Sequence, residues 1–428
     1  QDNDVLDTWF SSWLWPISVF DGIRQPKSPD FLYYYPTTDL VTGPDILFFW
    51  VARMIMCGYE FSRQEPFKNV YFTGIVRDGQ RRKMSKSLGN SPDPIKLINQ
   101  YGADGVRAAM LFASPAGNDL LFDESLCEQG RNFSNKIWNA FRLIDSWEEQ
   151  KIEQNRASFE AVVWFENRLS QDIHLLNTLF QKFRISDCLM TLYKLIWNDF
   201  CSSYLEIIKP FDKVVDVQTK EKTFYFFETI LILLHPFMPF ITEDIWQKLK
   251  KRKSGQSISL CTWPISQIKK IDQDILLKFE HNFKLIAAIR KIRKDKNISF
   301  KDSLVLLVEN RDVLFSEEII KKTCNINTID ILHKNTTVFP FLVDKTKYYI
   351  PLVFDINIEF EIQSIKEKID YLKVFLKSIE KKISNPKFIQ NAPKNVIMLE
   401  EKKKNDTLIK LESLQKELQN FDEENKNI

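Results

Sequence analysis

The chain has 428 residues, more than one hydrophobic core usually holds, so two to four domains are expected. Sixty Lys and Arg against 57 Asp and Glu leave a formal charge of only +3, which excludes a wholesale polycation but not local basic surfaces. A hydrophobic content of 44% and an aromatic content of 13% exclude a disordered chain, and 11 glycines exclude collagen-like or glycine-rich architectures. The six cysteines form no C-x-x-C pair, so zinc-ribbon spacing is absent and a reducing, cytoplasmic setting is expected. There is no apolar run of 18 residues, so no membrane span is predicted.

In chain order, residues 1–75 mix aromatic runs with short strand signals. Gly43-Pro44-Asp45 opens an apolar run, Ile46–Met54, that reads as a buried helix with Pro44 in its first turn. Lys68–Gly74 reads as a buried strand ending at a turn, giving an α/β layer. Residues 76–125 hold a charged loop and then a helix near Pro94–Gln100. From Cys127 to Lys250 apolar residues recur at helical spacing, which predicts a helical bundle. Its aromatics Trp164, Phe165, Trp197 and Phe200 fit core positions best. Residues 251–258 read as a connection. A helix over 279–294 and strands near 303–308, 328–332 and 348–354 predict a small α/β domain. Finally, Ile365, Ile369, Leu372, Leu376, Ile379 and Ile383 are spaced four, three, four, three, four, which is a heptad seam. Pro386 and Pro393 interrupt it, and a second seam runs through Leu411, Leu414, Leu418 and Phe421. Each seam alone is short for a stable helix, so an antiparallel coiled-coil hairpin is expected.

Four basic clusters stand against the neutral total: Arg77–Lys86, Lys248–Lys253, Arg290–Lys296 and Lys381–Lys404. A long polyanion touching several domains would need this arrangement. The segment with the clearest chemistry is Lys83-Met-Ser-Lys-Ser87, followed by Leu-Gly-Asn90. Two ammonium groups three residues apart on a short loop can neutralise charge developing on a leaving polyphosphate. It is not a Walker loop.

Lys83–Ser87 resembles the signature loop of class I aminoacyl-tRNA synthetases. Asp4–Ser12, Thr38–Arg53, Ser114–Asp119 and Gly130–Asn139 resemble the bacterial-type valyl branch of that family. The resemblance implies ATP-dependent attachment of valine to its tRNA through valyl-adenylate. It implies that Lys86 contacts ATP phosphate and stabilises the transition state with help from Lys83. Ser85 and Ser87 also belong to the ATP-binding loop, and Gly43 and Asp45 hold the adenosine ribose. Trp9, Ile46 and Trp50 line the amino-acid pocket, with Ile46 and Trp50 expected on one helix face because they are four apart. Arg290 and Arg293, on the basic helix, and Lys402 and Lys403, at the hairpin tip, are expected to contact tRNA. Phe300 stands where the family pattern has proline.

The implied architecture is multidomain and mainly α with α/β parts. Residues 1–75 form the C-terminal half of the nucleotide-binding catalytic fold, and 76–125 the signature-loop and stem-contact region. A helical anticodon-binding domain follows over 126–275, a small α/β linker domain over 276–362 and a coiled-coil tRNA-binding arm over 363–428. The four histidines do not form the His-x-Gly-His motif of the family, and no editing domain is visible. The chain is therefore expected to be a C-terminal portion, inactive by itself and monomeric. Mg²⁺ would accompany ATP, since no metal-ligand pattern is seen. Two other functions fit the residues: a non-catalytic tRNA-binding module, and a coiled-coil scaffold, which the loop context disfavours.

Overall fold

The computed structural model describes residues 3–415 apart from Lys86, 115–118, 267, 269, 311–314, 334–337, 352–357, 385–396, 409–410 and 412–413. The chain divides into two compact units, residues 1–287 with 314–326, and residues 288–313 with 327–428.

The first unit begins with short helices, α1 (Thr8–Trp13), α2 (Trp15–Ser18) and α3 (Pro29–Tyr34). Asp7 and Ser28 cap α1 and α3, each accepting from a backbone amide of the first turn. Next come β1 (Thr37–Thr42), a 3₁₀ turn Pro44–Ile46, a π-helical segment Leu47–Ala52, α4 (Arg53–Ser62) and β2 (Phe67–Phe72). β1 and β2 pair in parallel, with Thr37 opposite Phe67 and Thr42 opposite Phe72. The strand expected at 68–74 is thus present, but it is not buried as expected: only Phe67 is fully covered. Two parallel strands with one layer behind them leave the other face open. The single buried helix read over Ile46–Met54 is likewise corrected. Three helix types succeed one another, and Leu47, Phe48 and Phe49 are exposed while Val51 and Met54 are buried.

β3 (Val76–Arg77) and β4 (Leu120–Leu121) pair in parallel around α5 (Pro94–Tyr101) and α6 (Ala103–Phe112). α6 lies close against α7 (Glu124–Asp145) because Gly105 and Gly130 face each other. A Cβ on Gly130 would come within 2.2 Å of the Gly105 carbonyl oxygen, so this contact requires glycine. Asp104 ties α6 to the bundle by accepting the Ile241 amide at 2.7 Å, and Arg107 donates to the carbonyls of Pro236 and Phe237, both at 3.1 Å.

The bundle comprises α7, α8 (Arg156–Gln181), α9 (Ile185–Lys194), a π-helical stretch Leu195–Tyr204, α10 (Leu205–Ile208), α11 (Val217–Leu234) and α12 (Pro239–Leu249). The short strands β5 (Glu148–Gln150) and β6 (Val214–Asp216), unseen in the sequence, pair in parallel at its edge. Phe165 packs on Phe200, Tyr204 and Phe226, and the Tyr204 hydroxyl meets Thr223 Oγ1 at 2.8 Å. Trp164 stacks on Phe279 of α13 (Gln273–Asp295), with centroids 4.8 Å apart. That helix starts earlier than its expected beginning at 279.

The second unit holds a four-stranded sheet in the order β8-β7-β10-β9. Its strands are β7 (Leu304–Val308), β8 (Ile326–Ile331), β9 (Val338–Val343) and β10 (Thr346–Pro351), and β10 is antiparallel to both its neighbours. α14 (Glu317–Cys324) separates β7 from β8 in the chain. The expected strand at 348–354 is observed to Pro351, the remainder lying outside the described residues. The first seam lies on α15 (Ile358–Ile383), where Ile369 and Ile379 are buried. Residues 397–408 are again helical, and Leu411 is buried. Lys404 pairs with Glu380 at 3.1 Å, which brings the later segment alongside α15. Pro386, Pro393, Leu418 and Phe421 lie outside the described residues. Among the described residues no helix is long and apolar enough to cross a membrane.

Candidate functional site

The signature segment is the return arm of a tight hairpin. After β3 the chain turns at Asp78–Arg81, where the Arg81 amide donates to the Asp78 carbonyl at 2.8 Å and Arg81 takes φ +63°. Arg77 and Lys83 then bridge antiparallel, and the Met84 amide donates to the Val76 carbonyl at 3.2 Å. Asp78 saturates its carboxylate inside this turn. Oδ1 accepts the amides of Gln80 at 3.0 Å and Arg82 at 2.9 Å, and Oδ2 accepts Arg82 Nε at 2.9 Å and Asn90 Nδ2 at 3.0 Å. The hydrogen bond from Asn90, with those from Arg82 and Gln80, holds Asp78 down at about 2.

Beyond Lys83 the loop closes on Asn90. Asn90 Oδ1 accepts the Ser85 amide at 2.9 Å, and Nδ2 also reaches the Lys83 carbonyl at 3.3 Å. Ser85 Oγ accepts the Leu88 amide at 3.2 Å and lies 3.1 Å from Ser87 Oγ, and Gly89 supplies a turn at φ +61°. Met84 points to an apolar cavity of about 500 Å³ that Val76, Leu97, Met110 and Phe122 also line. Lys86 lies outside the described residues.

Lys83 reaches across to the 3₁₀ turn after β1. Its Nζ is 2.6 Å from Asp45 Oδ2, and the two side chains are 60% and 52% exposed. Gly43 sits in extended backbone just before, and a Cβ there would meet nothing of the protein within 4 Å. No neighbour in the described fold therefore requires glycine at 43. The surface there is open to a ligand's close approach.

Trp9 and Trp50 have different ring partners. The Trp9 ring is 39% exposed and meets Phe49, with centroids 6.2 Å apart. Trp50 stacks on Trp15 instead, and its Nε1 donates to the Ser12 carbonyl at 3.1 Å. Ile46 closes the 3₁₀ turn and Trp50 lies on the π-helical segment that follows it.

The basic clusters are more neutralised than their sequences suggest. Arg77 pairs with Asp119, and Arg82 with Asp78 at 2.8 Å. Glu228 takes both Lys250 at 2.8 Å and Arg252 at 2.6 Å, while Arg252 lies over the Trp246 ring. Arg290 is exposed, as a phosphate contact would require. Arg293 is not. It is 4% exposed, its Nη1 donates to the carbonyls of Ser299 at 2.8 Å and Asp302 at 2.9 Å, and its guanidinium lies over Phe300. Arg293 holds the turn after α13, and the tRNA contact expected of it is withdrawn. Lys402 and Lys403 are exposed, and Lys403 pairs with Glu400 at 2.7 Å.

Asp78, Asn90 and Asp119 were given no role by sequence reasoning. The Asp-Gly pair at 78–79 is a turn signal that could have found the first. The partnership of Asp119 with Arg77 spans 42 residues and leaves no local signal.

Three family models match the chain. One for class I tRNA synthetases (I, L, M and V) covers residues 1–123, and one for the anticodon-binding domain of tRNA ligase covers 163–308. The third, for the valyl tRNA synthetase tRNA binding arm, covers 357–422. Between them these models match most of the chain with domains of class I tRNA synthetases and tRNA ligases. The chain is similar to valine–tRNA ligases. It is 50% identical over 427 residues to that of Christiangramia forsetii and 51% identical over 421 residues to that of Parabacteroides distasonis. In both alignments 98% of this chain matches 48% of the relative, so the chain spans about half the length of the curated relatives it matches. Among solved structures, the ternary LeuRS–tRNA–LeuAMS complex from Agrobacterium radiobacter K84 aligns with a TM-score of 0.48 and 19% identity. That alignment covers 64% of this chain and 34% of the other.

Proposed function

We propose that this chain is the part of a valine–tRNA ligase that carries the signature loop, an anticodon-binding bundle and a tRNA-binding coiled-coil arm, and that it works in the cytoplasm. In the whole enzyme a valine carboxylate oxygen attacks the α-phosphorus of ATP. The bond to the bridging oxygen breaks, pyrophosphate leaves and valyl-adenylate remains. A hydroxyl of the tRNA's terminal adenosine then attacks the activated carbonyl and releases AMP. Lys86, assisted by Lys83, stabilises charge on the leaving pyrophosphate, and Ser85 and Ser87 donate to phosphate oxygens. Gly43 allows close approach of the nucleotide, and Asp45 accepts from the ribose hydroxyls. Trp9, Ile46 and Trp50 contribute apolar surface to the valine site, and Mg²⁺ arrives with ATP. Arg290, Lys402 and Lys403 meet tRNA phosphates. The five segments bounded at 75, 125, 275 and 362 are the working domains of this reading.

The observation that carries the reading is the 2.6 Å pair between Lys83 and Asp45. It joins two segments that family resemblance assigns to the two ends of one nucleotide, although 38 residues separate them in sequence. Both side chains are half exposed, so the pair is weak in water and open to exchange. ATP would replace it, with phosphate taking Lys83 and ribose taking Asp45. The test is valine-dependent ATP–pyrophosphate exchange in the full enzyme. Lys83→Ala and Lys86→Ala are each expected to lower it by about 100-fold, and this chain alone is expected to give no exchange. Exchange driven by isoleucine or leucine instead of valine, or undiminished in both variants, would overturn the reading.

A further inference from the structure

The loop that carries Lys83 and Lys86 has to hold its shape while exposed to water, and little of it is packed. One side chain ties two points of its backbone to each other and to the preceding turn. Asn90 uses both ends of its amide: Oδ1 takes the Ser85 N–H at 2.9 Å, while Nδ2 donates to the Lys83 carbonyl at 3.3 Å and to Asp78 Oδ2 at 3.0 Å. It therefore grips the backbone on either side of Met84 and anchors that grip to the turn at 78–82. The orientation of the amide is fixed chemically. An ionised carboxylate and a carbonyl can only accept, so the NH₂ end faces them, and the backbone N–H can only donate, so the oxygen faces it.

We infer that Asn90 is a positioning residue for the signature loop, a clasp tied to Asp78 that sets the backbone from Lys83 to Ser85 and with it the placement of Lys83. Asn90 touches no reacting group itself. Its consequence for catalysis rests on the function proposed above, but its consequence for the loop does not.

Asn90→Asp separates these two statements and keeps side-chain volume nearly constant. The new carboxylate still accepts from Ser85 but faces Asp78 and the Lys83 carbonyl with acceptors only. In limited trypsin digestion of this chain, cleavage at Arg81, Arg82 and Lys83 is expected to quicken by about 10-fold, the equivalent of losing two hydrogen bonds. Cleavage elsewhere and the thermal midpoint of the bundle should not move. Pairing Asn90→Asp with Asp78→Asn restores a donor opposite the new carboxylate and should recover at least about threefold of the loss. Loop cleavage at the wild-type rate in Asn90→Asp, or no recovery in the double variant, would overturn the clasp. In the full enzyme, Asn90→Asp should lower kcat of valine-dependent exchange by about 10-fold with the KM for valine unchanged. If wild-type enzyme gives no such exchange, the proposed function fails while the trypsin result still stands. If it does and the variant matches it, the clasp has no part in catalysis and the inference is lost.

Discussion

Aromatic residues are dense in two parts of the first unit, and they behave differently. In the bundle they meet across helices. Trp164 is 3% exposed, stacked on Phe279 and edge-on to Phe283, and Phe165 and Phe200 are fully buried. Between Trp9 and Tyr59 the same residue types lie on short helices and a π-helical segment, and although Phe31 and Tyr35 are buried, many stay open: Phe48 is 67% exposed, and Trp15, Phe49 and Tyr59 are also exposed. The difference is one of partners. α8, α11 and the 195–204 stretch enclose one another, whereas the β1–β2 pair and its helices have only one covered side. Periodicity marks which residues are apolar, and only the surrounding elements decide whether those residues act as core or as surface.

The largest expected effect is at the centre of the closed region. Trp164→Ala removes a buried indole from between Phe165, Phe279 and Phe283 and should destabilise the chain by about 3–5 kcal/mol, read from chemical denaturation. A loss below about 1 kcal/mol would mean that the bundle collapses around the gap and is less specifically packed than its ring geometry shows.

Arg293 and Arg290 repeat the comparison within one helix. Replacing buried Arg293 with Ala strips two partly buried carbonyls of their donor and should cost about 1–3 kcal/mol. Replacing exposed Arg290 should leave the denaturation midpoint in place, weaken binding to valine tRNA and reduce its dependence on salt. Equal effects of the two on stability would remove the distinction drawn between them.

The buried acid on α8 gives a pH test of the same closed region. Burial pushes Asp172 up to about 7, against the opposing pull of Arg168, whose Nη2 is 3.5 Å away. A carboxyl with a raised folded pKa contributes its full stability below its unfolded value near 4 and loses it as pH rises through about 7. Asp172→Asn cannot ionise. Between pH 4 and pH 8 the wild type should lose about 4 kcal/mol relative to this variant, seen as converging and then crossing unfolding curves. Parallel curves would show that Arg168 compensates the charge fully.

These contrasts also show what the sequence could reveal. The bundle was legible because its signal is local: apolar residues at helical spacing over more than a hundred residues, with Asp123, Asn155 and Asp216 each accepting from an amide at a helix start. The α15 seam and the signature segment were legible for the same reason. β1 and the Lys83–Asp45 pair were not, because each depends on a partner far away in sequence. β1 needs β2 some 30 residues on, and Arg293 looks like any other basic residue until the turn at 299–302 folds over it. Charge runs misled for that reason too: Glu228 and Asp119 lie far from the cations they neutralise.

A smaller loss of stability than at Trp164 should come from the open region. Among the described residues Trp9 has one ring neighbour, Phe49, and more than a third of its surface is already in water. Burial energy scales with apolar area removed from water, so Trp9→Ala should cost about 2 kcal/mol less than Trp164→Ala in denaturation. Its effect should appear elsewhere. If Trp9 contributes apolar surface to the valine site, the variant enzyme should need several-fold more valine for half-maximal ATP–pyrophosphate exchange. Its preference over isoleucine should narrow, since a lost wall is felt most where a single methylene is discriminated. A stability loss as large as that of Trp164→Ala would place Trp9 in a core. An unchanged valine requirement would assign the open aromatic surface to some contact other than the amino acid.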